Sequence, residues 1–413
     1  MRSNDGVDSP DDLRTGLVDE LQRQGHLQNE AVAAAFLSVP RHVFLPQVQP
    51  EKVYRDQAFG TKFDDSGMAI SSSTQPAIMA DMLEQLDLHP GHRVLEVGAG
   101  TGYNAALIAD IVGPAGQVTT VDIDEDIVED ARAHLAACGL SSVRVACGDG
   151  SLGWPDSAPY DRIVVTAASW DLAPAWSAQL VAMGRLVLPL QLRDSLWPQA
   201  SVAFERANGH LRSRSVRLCG FMALRGGLSL PSAVVQVDGM PGLFVEPCGE
   251  IPLDPAAVGQ YLRIPRQPDV HSGVFVTERE LMHLRLWLAL REPATAWLVA
   301  TKRAEATLRE LVPRPFSGRW EGYGIALVGE RGLAALSYLD QAGRGMHELG
   351  IRPHGPEGED LARRLIDDVR AWNRAGRLGG ETLSITALST SWDSCPRDDV
   401  MIEKRNTRLC VRW

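Results

Sequence analysis

Three acidic residues and one threonine stand where short apolar runs end. Glu96 sits inside RVLEV, Asp122 follows VTTV, Asp149 lies within Gly148-Asp149-Gly150, and Thr166 follows Ile163-Val164-Val165. Carboxylates placed this way accept hydrogen bonds from hydroxyl and amino groups and favour a cationic ligand. S-adenosylmethionine (SAM) offers a sulfonium, an amino-acid head, a ribose and an adenine. Asp122 suits both ribose hydroxyls, Asp149 with Gly150 suits the adenine amino group, and Glu96 suits the cationic parts. A dinucleotide would instead bring a pyrophosphate and call for GxGxxG at a helix N-terminus. Here the spacing from Glu96 is E-x-G-x-G-x-G, through Gly98, Ala99, Gly100 and Gly102. That reading favours SAM over NAD.

A second group of polar residues precedes this one. Tyr54 to Pro76 is a polar stretch ending in the hydroxyl run Ser71, Ser72, Ser73 and Thr74, then Gln75. It reads as a loop ahead of a helix over 77–86. The hydroxyls either cap that helix or hold a carboxylate at its N-terminus, and both readings stay open. Arg41 and His42 lie in the proline-bracketed VPRHVFLP, where a structural role is the plainer one.

The elements that position these residues alternate. Helical patterns cover 12–36, with Pro40 as a stop. Strands are expected at 93–97, 118–121, 143–146, 161–166 and 185–189. Helices are expected at 103–112, from 126 to Cys138, and around 175–181. Such alternation implies an α/β fold with a doubly wound, Rossmann-like parallel sheet. Its ligands bind at the C-terminal strand ends, where Glu96, Asp122, Asp149 and Thr166 all fall. An antiparallel hairpin, SVAFER and LRSRSV around Ala207-Asn208-Gly209-His210, is added to the sheet end. After Gly226-Gly227 comes a further α/β or α+β unit. It has helices at 278–291 and 358–374 and strands at 296–300, 324–329, 332–339, 384–389 and 408–413. HGPEGED and KRNTR read there as solvated loops. The expected division is an N-terminal helical segment 1–48, a methyltransferase domain 49–227 and a C-terminal extension 228–413 that recognises a peptide.

The 413 residues carry a net charge of −11, which argues against nucleic-acid binding. No run of eighteen apolar residues suggests a membrane span, and the polar start lacks a signal-peptide core. The six cysteines form no CxxC pair and read as free thiols. The expectation is a cytoplasmic protein without metal.

The segments 39–46 (VPRHVFLP), 96–103, 148–150 (GDG), 160–168 (YDRIVVTAA) and 184–189 (GRLVLP) together resemble the protein-L-isoaspartate O-methyltransferases, over residues 12 to 190. The resemblance implies methyl transfer from SAM to an Asp or isoaspartyl carboxylate of a peptide, with S-adenosylhomocysteine (SAH) as product. It also implies substrate contacts at Arg41, His42, Gln75, Ala167 and Ala168, and a catalytic role in the run Ser71 to Thr74. Such a carboxylate has a pKa of about 4 and is already ionised. It needs alignment and exclusion of water rather than a general base. The methyl ester is then attacked by a backbone nitrogen and closes a succinimide (aspartimide).

Two departures concern the acceptor. The family's ISQP is here ISSSTQP, three residues longer, so the family's serine maps onto Thr74 or Ser71 depending on the anchor. The unit after Gly227 is similar to longer actinobacterial enzymes that mature ribosomally made lanthipeptides, lasso peptides and graspetides. Cys219 to Phe221, Arg225-Gly226-Gly227 and the terminal IEKRNTRLCVRW share in that similarity. Peptide tailoring is therefore the leading expectation and general isoaspartyl repair the alternative. A non-catalytic SAM-binding module is the third reading.

Asp122→Ala removes the ribose hydrogen bonds, each worth about 0.5–1.5 kcal/mol net. SAM affinity measured calorimetrically should fall accordingly, and unchanged affinity would refute the role.

Overall fold

The computed structural model describes residues 9–413 except 66, 68, 196, 208, 230–233, 250, 252–253, 264–267, 302, 305–319, 340–345 and 391–399. Asn208 of the expected hairpin turn and Cys395 thus lie outside the described residues.

The chain begins with α1 (Pro10–Gln24), which starts in a reciprocal cap. The Ser9 hydroxyl accepts the Asp12 N–H, the Asp12 carboxylate takes the Ser9 N–H, and Gly25 ends the helix in a left-handed conformation. Next, α2 (Glu30–Ser38) is capped by the Asn29 side chain. A 3-10 turn over Arg41–Phe44 and the short α3 (Pro50–Val53) follow. Leu21, Phe36 and Phe44 pack into one core cluster with Tyr103 and Leu107.

Residues 59–73 are not a loop. Strands β1 (Phe59–Phe63) and β2 (Ala69–Ser73) pair antiparallel. The hydroxyl run alternates, with Ser71 and Ser73 buried and Ser72 half-exposed. Small side chains of period two fit a strand whose backbone groups a partner satisfies. Then α4 (Pro76–Leu86) leads into β3 (Arg93–Val97), α5 (Tyr103–Val112), β4 (Gln117–Asp122), α6 (Glu125–Ala137), β5 (Arg144–Cys147), β6 (Tyr160–Val165), α7 (Pro174–Gln179) and β7 (Leu180–Gln191). Strands β3 to β7 run parallel in the order β7-β6-β3-β4-β5. The order reverses between β3 and β6, which opens a crevice at their C-terminal ends. Antiparallel β8 (Gln199–Ala207) and β9 (His210–Cys219) extend the sheet past β7.

A second sheet is wholly antiparallel. It contains β10 (Val235–Gln236), β11 (Leu243–Pro247), β12 (Val270–Val276), β13 (Thr295–Thr301), β14 (Trp320–Gly329), β15 (Gly332–Leu339) and β16 (His347–His354). Their order is β10-β11-β13-β14-β15-β16-β12. Helix α8 (Pro255–Arg263) accompanies it, as do α9 (Glu278–Arg291) and α10 (Gly358–Arg374). The latter buries Leu361, Leu365, Ile366, Val369 and Trp372, the face its periodicity predicts.

The last strands do not stay with this sheet. Strand β17 (Ser384–Ser389) pairs with β9, and β19 (Thr407–Arg412) with β18 (Val400–Glu403) continues the first sheet outward. A single cut at Gly227 therefore does not separate the sheets. One apolar cluster contains Leu186, Leu188 and Phe204 of the first sheet together with Leu286 and Leu290 of α9, Ile385 and Leu409. The terminal strands bury what would otherwise be an open edge at β9. Cys410, expected as a free thiol, is disulfide-bonded.

Leu409 is fully buried at this junction. Leu409→Ala should lower the unfolding free energy by about 2–5 kcal/mol in denaturant titrations. A change below the scatter of surface variants would show that β19 is only loosely joined to the first sheet.

Candidate active site

The site grows from the end of β3. Gly98 adopts a φ of +103°, and a Cβ there would lie 2.5 Å from Thr166 Oγ1, so only glycine fits. The Thr166 hydroxyl donates to the carbonyl of Gly98 at 2.7 Å and lies 3.1 Å from that of Val97. Glu96, expected at the cofactor, lies in the core behind the turn. It is fully buried, accepting from Asn104 Nδ2 at 2.7 Å and Thr120 Oγ1 at 2.6 Å. It ties the first turn of α5 to β4 beneath the glycine turn. Burial pushes its carboxyl up to about 7, against the hydrogen bonds from Thr120 and Asn104. Ala99 is buried too, leaving Gly98 and Gly100 as the half-exposed part of the turn.

Asp122 is half-buried. Its Oδ2 accepts from the Gly100 N–H at 3.1 Å and its Oδ1 lies 3.4 Å from the Asp124 N–H. Asp149 accepts from the Ser151 N–H and the Gly227 N–H, each at 2.9 Å. Burial pushes the Asp149 carboxyl up, but hydrogen bonds from Ser151 and Gly227 outweigh it and hold the group below its ordinary range. Gly150 is buried rather than open to a ligand. A Cβ there would stand 2.3 Å from Val97 Cγ1, and its carbonyl takes the Trp176 indole at 2.8 Å. Ile123, next to Asp122, and Leu152, three residues after Asp149, are 38% and 66% exposed. Polar edges beside bare apolar side chains fit an adenosine, which has hydroxyls and an amino group around flat faces.

On the acceptor side the structure separates residues that the sequence groups together. Arg41, expected at the substrate, is fully buried. Its guanidinium donates to the carbonyls of Val53 at 2.7 Å, Gln57 at 3.2 Å and Thr74 at 3.0 Å. His42 Nδ1 is held by the Tyr54 hydroxyl at 2.8 Å, and burial lowers its pKa. Ser73 lies against Arg41 and Ser71 against Thr61. Of the hydroxyl run, Thr74 lines a small cavity of about 10 Å³ with Asn104, Thr166 and Phe221. No hydroxyl caps α4. Asp56 does so, accepting from the Ala77 N–H and from Gln75 Nε2, both at 2.8 Å. Ala168 is buried, and its N–H and C=O bond to Met222 and Leu224 at 2.8 Å, whereas Ala167 stays half-exposed.

The KRNTR segment is not a solvated loop. Lys404 is buried against Trp170 and Asp194, and burial lowers its ammonium to about 8. Asp171, fully buried, accepts from Leu172 N–H at 2.7 Å and from Thr407 Oγ1 at 2.6 Å, and it also takes the Asn406 N–H. The terminal hairpin is thereby locked to the loop after β6. Among the described residues no His, Cys, Asp or Glu cluster could hold a metal, and no helix is long and apolar enough to cross a membrane.

A parallel sheet with a glycine turn after its central strand and acids at the next strand ends defines a SAM-dependent methyltransferase. Residues 13–229 match the protein-L-isoaspartate(D-aspartate) O-methyltransferase (PCMT) family, and the chain belongs to it. It is similar to a protein-L-isoaspartate O-methyltransferase of Methanopyrus kandleri, 38% identical over 216 residues that make up 52% of this chain and 91% of that one. A protein-L-isoaspartate O-methyltransferase 2 of Archaeoglobus fulgidus is also 38% identical, over 52% of this chain and 94% of its own. A solved protein-L-isoaspartate O-methyltransferase shares the fold over 90% of this chain and 96% of its own, with a TM-score of 0.50 and 24% identity. That likeness of fold includes part of the region after Gly227.

The raised Glu96 carboxyl has a direct consequence for stability. Between about pH 4.5 and 7 the folded state keeps a proton that the unfolded chain has lost. Stability from this group is therefore present below that window and lost as pH rises through it. In Glu96→Gln the amide still pairs with Asn104 and Thr120, because the Thr120 hydroxyl turns to accept. Unfolding midpoints of the unaltered chain should fall relative to Glu96→Gln between pH 5 and 8. Parallel profiles would show that Glu96 is ionised throughout.

Proposed function

We propose that this chain methylates an isoaspartyl carboxylate in a peptide or protein, and that Asp122, Asp149 and the Gly98–Gly100 turn hold the SAM. Bound SAM supplies an electrophilic methyl group, which the carboxylate takes to give a methyl ester and SAH. The half-buried Asp122 accepts from the ribose hydroxyls. Asp149 faces the adenine edge, with Ile123 and Leu152 against its faces. Thr166 keeps the turn open at Gly98. Glu96 acts from beneath as a positioning residue, and Ala99 packs under the turn.

The observation that supports the acceptor assignment is that Thr74 and Thr166 meet at one small cavity with room for a single water, walled otherwise by Asn104, Phe221 and apolar core side chains. This favours anchoring the lengthened loop on Gln75-Pro76, with Thr74 as the hydroxyl that orients the acceptor. Arg41 is a second positioning residue, since it holds the Thr74 carbonyl. Half-exposed Ala167 and Ser72 border the same end. An acceptor carboxylate is ionised at neutral pH, so alignment and dehydration suffice. The ester then loses methanol to a neighbouring backbone nitrogen and closes the succinimide.

A second reading keeps the chemistry and changes the substrate. The three extra residues at 70–76 and the terminal hairpin locked by Asp171 alter the wall where an acceptor enters. That favours a dedicated peptide, such as a ribosomally made precursor tailored at one Asp in the cytoplasm.

One assay separates the two. An isoaspartyl peptide, its Asp counterpart and an Asp-containing precursor encoded nearby are each incubated with SAM and weighed by mass spectrometry. The repair reading expects a methyl added to the isoaspartyl peptide alone. Modification of the precursor alone would replace it with the tailoring reading, and no methylation of any carboxylate would refute both.

A further inference from the structure

Two chain segments far apart in sequence wall the cofactor end, and both end on one carboxylate. The hairpin β1–β2 lies against the glycine turn, where a Cβ on Gly100 would stand 3.4 Å from the Ser72 carbonyl. From its first strand Lys62 reaches Asp124 at 2.9 Å and Asp126 at 2.6 Å, at the start of α6. The second segment is the strap 221–227. It is pinned at Ala168 on one side and at Asp149 on the other, through the Gly227 N–H. Between those points Arg225 pairs with Asp124 in fork geometry, at 3.1 and 2.7 Å. Gly226 has a φ of +91°, and a Cβ there would lie 2.7 Å from Asp149 Oδ1, so the strap can cross only as glycine. Arg405 of the terminal hairpin donates to the Gly227 carbonyl at 3.2 Å and backs the strap from outside.

We propose that Lys62, Asp124 and Arg225 form an electrostatic latch across the mouth of the cofactor site, which retains SAM and opens to release SAH. The inference rests on the reading that Asp122 and Asp149 hold the adenosine. Asp122 and Asp124 stand two residues apart, and the strap that carries Arg225 is the one that bonds to Asp149. The latch therefore spans the two acids. Its exposure also fits an opening role. The Lys62 and Arg225 side chains are 30% and 38% exposed, and Asp124 is 17% exposed. Ion pairs this open add little to fold stability and weaken in salt. They can break and reform without unfolding anything beneath them. The neighbouring charges complete the account: the Arg225 guanidinium and Lys62 hold Asp124 below the usual carboxylate range, so the pairs stay charged near neutrality.

The test is the dissociation rate of labelled SAH from the full chain, chased with unlabelled SAH. Lys62→Met and Arg225→Met should each release SAH about fivefold faster than the unaltered chain. Molar KCl should speed release from the unaltered chain towards the double variant and leave the double variant unchanged. Unfolding midpoints without SAH should stay close to that of the unaltered chain. Unchanged release in both variants would overturn the latch. So would faster release that salt does not mimic, since that is the mark of a damaged wall. Asp122→Ala serves as the control on the underlying reading. If it weakens SAH binding while the latch variants release normally, the latch alone is wrong. If it leaves SAH binding intact, the placement of the adenosine is wrong and the latch falls with it.

Discussion

The buried guanidinium of Arg41 is the constraint on which the acceptor side depends. An arginine removed from water is costly unless its donors are filled, and burial lowers its pKa accordingly. The chain fills the two terminal nitrogens with carbonyls from 53, 57 and 74 rather than with a carboxylate pair, and leaves the buried Nε without a partner. Those carbonyls come from the end of α3, the turn before β1 and the residue after β2. Holding them in one place fixes Thr74 at the end of β2 and Asp56 over the start of α4. Arg41 thus acts at one remove from Thr74, the hydroxyl we propose orients the acceptor.

A similar division runs through the cofactor side. Glu96 lies beneath the glycine turn, Thr166 beside it, and Asp122 above it. The two buried or flanking groups shape the backbone, and the half-exposed acid is the one we propose for the ribose. Acidic residues at neighbouring strand ends therefore have different tasks, which burial decides. Asp149 combines both, because it orders Ser151 and receives the strap through Gly227.

The α/β alternation, the strand ends and the glycine turn were legible in the sequence, because each rests on local periodicity and on glycine's freedom at positive φ. The terminal helix 358–374 was legible for the same reason. What escaped was set by distant contacts. Ser71 to Thr74 looked like one functional run, yet pairing with Phe59–Phe63 turns alternate hydroxyls inward. Asp56 caps a helix that begins twenty residues later, and no local pattern marks it. KRNTR carries the composition of a solvated turn, but Asp171 and Trp170 draw it into the wall. Strand β17 has the pattern of any amphipathic strand, and nothing in that pattern says which sheet it will join.

In the proposed account the SAM site is enclosed by segments drawn from residues 59–63, 69–73, 98–104, 122–126, 149–152 and 221–227, with the hairpin at 404–407 backing the strap. The most direct measurement of that enclosure is amide hydrogen exchange with and without SAH. All of these segments should gain protection together, including Arg225 to Gly227 and Lys404 to Thr407. Protection confined to the glycine turn and Asp122, with the strap and terminal hairpin exchanging as before, would contradict it.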